Sequence, residues 1–371
     1  MKLKKRKERV SENNRSIVLV TGGAGFIGSH IVDLLIQNNY EVVIVDDLSS
    51  GREENINQKA RFYNLNITDQ KALIEVFKQE KPDYICHEAA QISVSFSVRD
   101  PLFDAQTNIL GSLNLLQCCL LNHKVKGVVF ASSGGTIYGE PEHFPITENY
   151  PFRPQAPYGI SKVAVEHYLD FYQKTYHLPY VALRYGNVYG PRQDPYGEAG
   201  VIAIFIEKML KGEIPTINGD GEYIRDYVYV EDVAQANLLA LKNMVKLSKV
   251  VREIEKNKEK EKEEDETKAK TKAETETETK TTPEPEPEPE IKLNGLNLGT
   301  GRGISVNEIF SLLKEIIKFP HPAHYGPPRA GDLRKNVLDC RLIKEVLGWQ
   351  PQFDFSAGLE ETVRWFKENI H

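Results

Sequence analysis

The stretch Thr21-Gly-Gly-Ala-Gly-Phe-Ile-Gly28 follows the apolar run Ile17 to Val20 without a spacer and runs straight into the helical pattern Ile27 to Gln37. Its glycines fall at 22, 25 and 28, a spacing that does three separate jobs. Gly22 permits a tight turn, Gly25 lets a backbone approach a pyrophosphate, and Gly28 lets the helix pack close against the strand. The helix then opens with unpaired N–H groups, a ready site for phosphate. Few folds accommodate a strand, a glycine turn and a helix joined this tightly, and the parallel α/β sheet is the main one.

The rest of the N-terminal half agrees. Val42 to Asp46, Tyr84 to His87, Val128 to Ala131 and Tyr180 to Leu183 are short β-branched runs, separated by helical patterns at Gln70 to Gln79, Leu102 to Leu121 and Lys162 to Thr175. Apolar runs that do not alternate indicate strands buried on both faces. The fold class expected is therefore α/β, a doubly wound parallel sheet of Rossmann type spanning 16–186. Beyond Gly186 the chain is richer in Gly and Pro, with helices near Val201 to Lys211, Val233 to Leu241, Val306 to Lys318 and Ala357 to Asn369, and Asp354 to Ala357 offers polar caps for the last of them. A smaller α/β substrate-binding lobe is expected over 187–245 and 292–371, parts of which can return to the first sheet.

Two segments fall outside this pattern. Residues 1–15 begin with the basic run Lys2 to Arg9, expected to be a disordered tail, and 246–291 is a Lys, Glu, Thr and Pro segment ending in Pro-Glu repeats from Pro283 to Glu290. Such a composition buries no core and reads as a solvated, charged low-complexity insertion. The formal net charge of -6 supplies no basic field for nucleic acid or an anionic membrane. No apolar run approaches the ~20 residues of a membrane span, and the N-terminus lacks the apolar core of a secretory signal. Cys86, Cys118, Cys119 and Cys340 form neither a CxxC pair nor zinc-ligand spacing with histidine, so reduced thiols, no metal and a cytoplasmic location are expected.

Asp46 ends the second strand 18 residues after Gly28. There it can accept hydrogen bonds from an adenosine ribose diol while repelling a 2′-phosphate, which favours NAD over NADP. Further along, Tyr158-Gly-Ile-Ser-Lys162 sets a phenol and an ammonium one helical turn apart on one face. A phenol titrates near ~10 in water, so making it a base at neutral pH asks roughly 4 kcal/mol of its surroundings. A neighbouring lysine and a positively charged nicotinamide both act in that direction. The strand before this helix ends Phe130-Ala-Ser-Ser-Gly-Gly-Thr136, placing Ser132, Ser133 and Thr136 at the carboxyl edge of the sheet. Each could bond a sugar hydroxyl or relay its proton, or simply form a local turn.

The glycine loop, Asp46 and the Tyr158/Lys162 pair in this order resemble the extended short-chain dehydrogenase/reductases, and within them the NAD-dependent epimerase/dehydratase family of nucleotide-sugar 4-epimerases. The likeness runs from about Val18 to Phe366, with the charged insertion outside it. It implies that Tyr158 takes a proton from the sugar 4-hydroxyl while hydride passes from C4 to NAD, and that the 4-keto sugar turns over and regains the hydride on its other face, most simply between UDP-glucose and UDP-galactose.

For the cofactor, the resemblance implies contacts from Phe26, Ile27 and Asp47 beside the glycines, and from Asn66 and Ile67 where the family carries an Asp-Ile pair at adenine. It further implies contacts from Ala89, Ala90 and Gln91 in His87-Glu-Ala-Ala-Gln91, and from Asn108; Glu88 is an unusual charged occupant of that stretch. For a UDP-sugar it implies Asn187, Val201, Arg225, Arg329 and Asp332, with Val201 and Ile202 opening the uracil pocket and Ile217 to Gly219 beside the base. Arginine suits a diphosphate because its fork bonds two oxygens at once. Gly134 departs from the family pattern by standing where many members carry the catalytic Ser or Thr. Ser133, then Thr136, are the candidates to replace it.

Related activities on the same scaffold fit less well. Dehydration uses an Asp-Glu pair where this chain has Gly135 and Thr136, and decarboxylation uses a Glu at the Thr136 position. A uronate substrate asks for a cation near C6, and Gln91 to Ser97 holds none. Asn336 stands where some relatives have a bulky Tyr, which leaves N-acetylated sugars possible. A non-catalytic NAD-binding scaffold would be expected to lose Tyr158 or Lys162, and both are present. Family members pair the helices represented by Leu102 to Leu121 and Lys162 to Thr175, so a homodimer is expected.

Overall fold

A computed structural model of the chain describes residues 15–121, 125–196, 200–244, 246–247, 295–328 and 333–369. The basic tail up to residue 14 and nearly all of the charged insertion lie outside the described residues, as do Arg329 and Asp332.

Seven parallel strands form the main sheet: β1 Ile17–Thr21, β2 Glu41–Asp46, β3 Arg61–Asn64, β4 Tyr84–His87, β5 Gly127–Ser133, β6 Tyr180–Tyr185 and, after the insertion, β10 Gly295–Leu298. Their order is β10-β6-β5-β4-β1-β2-β3, so the chain winds outward one way from β1 and then the other. Alternate side chains of β1 enter different cores. Val18 and Val20 join one, with Ile44, Val129 and Leu183, while Leu19 joins the other, with Val43, Ile85 and Phe130. Both faces are covered, which is why the strand sequences are continuously apolar. The expected doubly wound class is the observed one.

Two strands of this sheet are not apparent from sequence pattern. β3 is an edge strand whose Arg61 and Asn64 are exposed, so it lacks the apolar run of its neighbours. β10 follows a long excursion and pairs with β6 from Gly295 opposite Ala182 to Leu298 opposite Tyr185. Residues 230–244 are helical, and Val233, Ala236, Leu241 and Met244 pack into the same core as β1 and β2. The helix 230–244 and β10 thus lie against the first sheet, although they follow Asn187 in sequence.

The smaller lobe has strands β7 Asn187–Tyr189, β9 Ile224–Tyr229, β11 Gly303–Ser305 and β13 Lys335–Asn336 in one sheet, and β8 Thr216–Asn218 with β12 His324–Gly326 in another. Helices Val201–Leu210, Val306–Ile317 and Phe355–Asn369 pack on them around Phe205, Ile206, Ile309, Leu359 and Phe366. Asp354 begins the last helix as expected, accepting from the Ala357 amide at 2.8 Å.

The sheet and the helix Pro157–Tyr176 are joined by a buried ion pair. Arg184 on β6 reaches Glu166 at 2.7 Å, and both side chains are nearly fully buried. Ser132 on β5 donates to the same carboxylate at 2.6 Å, and Arg184 also donates to the Tyr138 hydroxyl at 2.9 Å. Tyr138 in turn donates to Asn297 on β10 at 2.7 Å. Removing one member leaves an uncompensated buried charge. Glu166→Ala should therefore lower the free energy of unfolding by about 3–5 kcal/mol, seen as an earlier denaturant midpoint; an unchanged midpoint would contradict the role given to this pair.

Candidate active site

A cleft crosses the carboxyl ends of the main sheet, lined at one end by Asp46, Asp47, Asn66 and Ile67, in the middle by Gly22, Gly25, Phe26, Ile27, Gly28, Ala89 and Ala90, and at the other end by Glu88, Tyr158, Lys162 and Tyr185. Gly22 has φ +69°, and a Cβ there would come within 2.7 Å of the Ala89 amide nitrogen. At Gly28 a Cβ would lie 2.1 Å from the Gly22 carbonyl oxygen, a distance that no repacking relieves. Helix Phe26–Gln37 is preceded by Gly25, which provides no side-chain cap, so its first amides face the cleft without one. This cradle fits a dinucleotide pyrophosphate.

At the first end, Asp46 accepts from the Ala24 amide at 3.0 Å and the Leu48 amide at 2.9 Å. Burial pushes its carboxyl above the usual range, and these two amides pull it back. Asn66 donates to Asp47 at 2.6 Å, and Ile67 beside it is buried. Gln91 and Asn108 stand behind the cleft wall rather than lining it. Asn108 lies in a π-helical stretch, Gln106–Leu110, and bonds the Gln91 backbone both ways, accepting from its N–H at 2.8 Å and donating to its carbonyl at 2.9 Å. Asp104 ties these together, accepting from Asn108, from the Gln91 side chain and, at 2.5 Å, from the Ser161 hydroxyl. That last bond links the Gln91 loop to the helix carrying Tyr158 and Lys162.

Behind the glycine turn, Thr21 and His87 Nδ1 are 2.7 Å apart, and His87 Nε2 is 2.8 Å from the Ser112 hydroxyl. Burial, with Lys162 nearby, lowers the imidazole pKa to about 3, so the ring is neutral. Thr21 donating into Nδ1 and Nε2–H donating to Ser112 satisfies both nitrogens.

Lys162 donates to the Ala131 carbonyl at 2.8 Å, with its ammonium 5.6 Å from the centre of the Tyr158 ring. Burial draws the ammonium down to about 8, opposed by the charges of Glu88, Asp104 and Glu166. The Tyr158 phenol is raised, first by burial and then by Asp104 and Glu88, while a hydrogen bond from Ser133 lowers it. Burial thus opposes the phenolate, and a positive charge added in the cleft would favour it.

The hydroxyls at the end of β5 part company. Ser133 meets Tyr158, whereas Ser132 is turned to Glu166 and Thr136 Oγ1 is buried without a partner. Gly134 has a steric reason for its identity: a Cβ there would sit 2.6 Å from a Leu338 methyl and 3.0 Å from the Arg184 carbonyl oxygen. Its amide donates to the Tyr185 carbonyl at 2.8 Å, and its carbonyl accepts from Asn336 at 3.2 Å. A serine cannot stand at 134 without displacing these neighbours.

A second cavity, in the smaller lobe, is lined by Asn187, Val201, Ile217, Asn218 and Arg225 together with Tyr223 and Phe205. Gly135 lies between Ser133 and Asn187: a Cβ there would lie 3.8 Å from Ser133 Oγ and 4.0 Å from Asn187 Oδ1. Ile202 is fully buried, behind this cavity's wall. Sequence reading overlooked the Tyr185 and Asn237 pair beneath Glu88, where the Tyr185 hydroxyl donates to Glu88 at 3.1 Å and accepts from Asn237 at 2.8 Å. The signal available was Tyr185 itself, two residues before Asn187 at a strand end. Among the described residues, no group of three or more His, Cys, Asp or Glu is placed to hold a metal ion.

A model of the NAD dependent epimerase/dehydratase family matches residues 18–251. A putative UDP-glucose 4-epimerase of Methanocaldococcus jannaschii is 43% identical over 95% of this chain and 99% of its own length. Among solved structures, a UDP-glucose 4-epimerase from Thermotoga maritima with UDP-glucose superposes with TM-score 0.80 at 46% identity, covering 96% of this chain and 100% of that one. A UDP-N-acetylglucosamine 4-epimerase from Methanobrevibacter ruminantium in complex with UDP-N-acetylmuramic acid gives TM-score 0.78 at 34% identity, covering 96% and 99%.

The packing at Gly134 makes a specific prediction. Gly134→Ser should destabilise the chain by about 1–3 kcal/mol through overpacking. Thermal unfolding of the two proteins checks it, and equal midpoints would refute the steric account.

Proposed function

Because the chain belongs to the NAD-dependent epimerase/dehydratase family, we propose that it is an isomerase that interconverts UDP-glucose and UDP-galactose by inverting C4 of the sugar. The observation that carries this reading is the grouping of Tyr158 and Lys162 at one end of the dinucleotide cleft with Ser133 bonded to the phenol, and with Ser133 and Asn187 both within 4.0 Å of where a Gly135 Cβ would stand. The hydride acceptor and donor for C4 would be supplied by NAD held in this cleft. Tyr158 is the base for the 4-hydroxyl proton, Lys162 supplies positive charge beside the phenol, and Ser133 hydrogen-bonds the phenol and shares the proton. Thr136 is the second candidate for that hydroxyl. Gly22, Gly25, Phe26, Ile27 and Gly28 cradle the pyrophosphate, and Asp46 takes the adenosine ribose. Asp47, Asn66 and Ile67 border the adenine, Ala89 and Ala90 flank the cofactor, and Gln91 and Asn108 hold that wall in place. Asn187 and Arg225 hold the diphosphate, with Val201 at the base pocket.

An N-acetylated UDP-sugar is the second reading. It is supported by Asn336, a small buried residue beside Gly134 whose Oδ1 has no partner. The proposed organisation is one NAD-binding unit, 16–186 joined by the 230–244 helix and β10, and a substrate lobe from the remainder of 187–245 and 292–371. A homodimer is proposed through the exposed apolar residues Val98, Leu102, Leu110, Ile160 and Phe171 on adjacent helices. No helix among the described residues is long and apolar enough to cross a membrane. The cytoplasm is the proposed compartment, in keeping with four free cysteines.

Tyr158→Phe should lower turnover of UDP-galactose by about 10²–10⁴-fold while NAD remains bound and the fold intact. Near-normal turnover would remove Tyr158 from the chemistry. A panel of UDP-glucose, UDP-N-acetylglucosamine, UDP-glucuronate and their C4 epimers should show the glucose/galactose pair converted fastest; a uronate preference would overturn the assignment.

A further inference from the structure

Among the described residues lining the cofactor cleft there are three carboxylates. Asp46 and Asp47 belong to the adenosine end, and Glu88 alone stands at the end shared with Tyr158, Lys162 and Tyr185. Glu88 is also fixed. Tyr185 donates to it at 3.1 Å, and Asn237 on the 230–244 helix donates to Tyr185 at 2.8 Å and to the Val233 carbonyl at 3.0 Å. The Glu88 amide is tied to the Thr21 carbonyl at 3.2 Å, so the backbone below the carboxyl is held by β1. Neither the proton transfer nor the sugar-binding cavity uses this carboxyl.

We infer that Glu88 sets the redox balance of the bound cofactor: its carboxylate, held by Tyr185 and Asn237 at the nicotinamide end of the cleft, stabilises the oxidised, cationic ring relative to the neutral reduced one. The inference rests on the cofactor part of the proposed function and not on the identity of the sugar. Two-electron reduction cancels the ring's positive charge, so a fixed negative charge close by is worth more to the oxidised form. In an enzyme that must end each cycle as it began, such a bias keeps the resting cofactor oxidised. The titratable and charged groups around Glu88 are Cys86 on β4, Tyr185 on β6, and Tyr158 and Lys162 on the helix. Burial raises the Glu88 carboxyl to about 7, against the pull of Tyr185 and Lys162. A cation arriving in the cleft favours its ionised form.

Glu88→Gln keeps the shape and an oxygen to accept from Tyr185, but removes the charge. Wild-type and variant holoenzymes, each shown by extraction to carry NAD, are equilibrated with the same reversible redox dye, and the reduced cofactor is read by its near-ultraviolet absorbance. The ratio of oxidised to reduced cofactor should fall about tenfold in the variant, a potential about 30 mV more positive for a two-electron couple. Tyr185→Phe, which removes the hydrogen bond favouring the carboxylate, should shift it the same way by less. An unchanged ratio in both variants overturns the inference. A folded Glu88→Gln protein that no longer retains NAD would also overturn it, by showing a role in affinity rather than balance. A wild-type protein without NAD would instead refute the cofactor reading on which it rests.

Discussion

The buried ion pair between Arg184 and Glu166 is the constraint on which the site depends. Glu166 lies one turn beyond Lys162 on the same helix, and the Arg184 carbonyl faces Gly134. Fixing Glu166 against β5 and β6 therefore fixes the height of Lys162, whose ammonium reaches the Ala131 carbonyl, and with it the direction of the Tyr158 ring. The same guanidinium extends through Tyr138 to Asn297 on β10. A strand on the far side of the charged insertion is thereby tied to the centre of the site. Such a pair is an expensive way to gain stability, because two ions must be desolvated, and its value here is in geometry.

The second constraint is steric. At Gly28 and Gly134 the chain has no room for a Cβ, and these two positions decide what the cleft can hold and which hydroxyl can reach Tyr158. At Gly28 the exclusion brings the helix amides up to the phosphate site. At Gly134 it leaves no room for a side chain, and Ser133, from the preceding position, meets the phenol. The electrostatics follow from the same crowding. Burial holds Tyr158 protonated and pulls Lys162 toward neutrality, so the site without its cofactor is poised against the charge separation that proton transfer requires. The positive ring of a bound NAD would add charge of the sign that favours the Tyr158 phenolate.

Much of this was legible in the sequence, and for physical reasons. The glycine spacing, Asp46 at a strand end and the Tyr158/Lys162 interval are local patterns, and local patterns survive translation into coordinates. The β1, β2, β4, β5 and β6 strands are buried on both faces and announce themselves as apolar runs. β3 did not, because an edge strand needs no second buried face, and β10 did not, because its partner lies more than a hundred residues away. The sequence singled out Glu88 as odd without explaining it, since its partners Tyr185 and Asn237 come from separate elements. Likewise nothing local distinguishes Ser132, bonded to Glu166, from Ser133, bonded to Tyr158.

Under the proposed function, hydride leaves and returns to the same carbon, with the proton passing through Tyr158. UDP-galactose carrying deuterium at C4 puts this to the test, with the position of the label in the product read by NMR. UDP-glucose should form with the deuterium retained at C4. No conversion, or conversion with the label lost to water, would contradict the account.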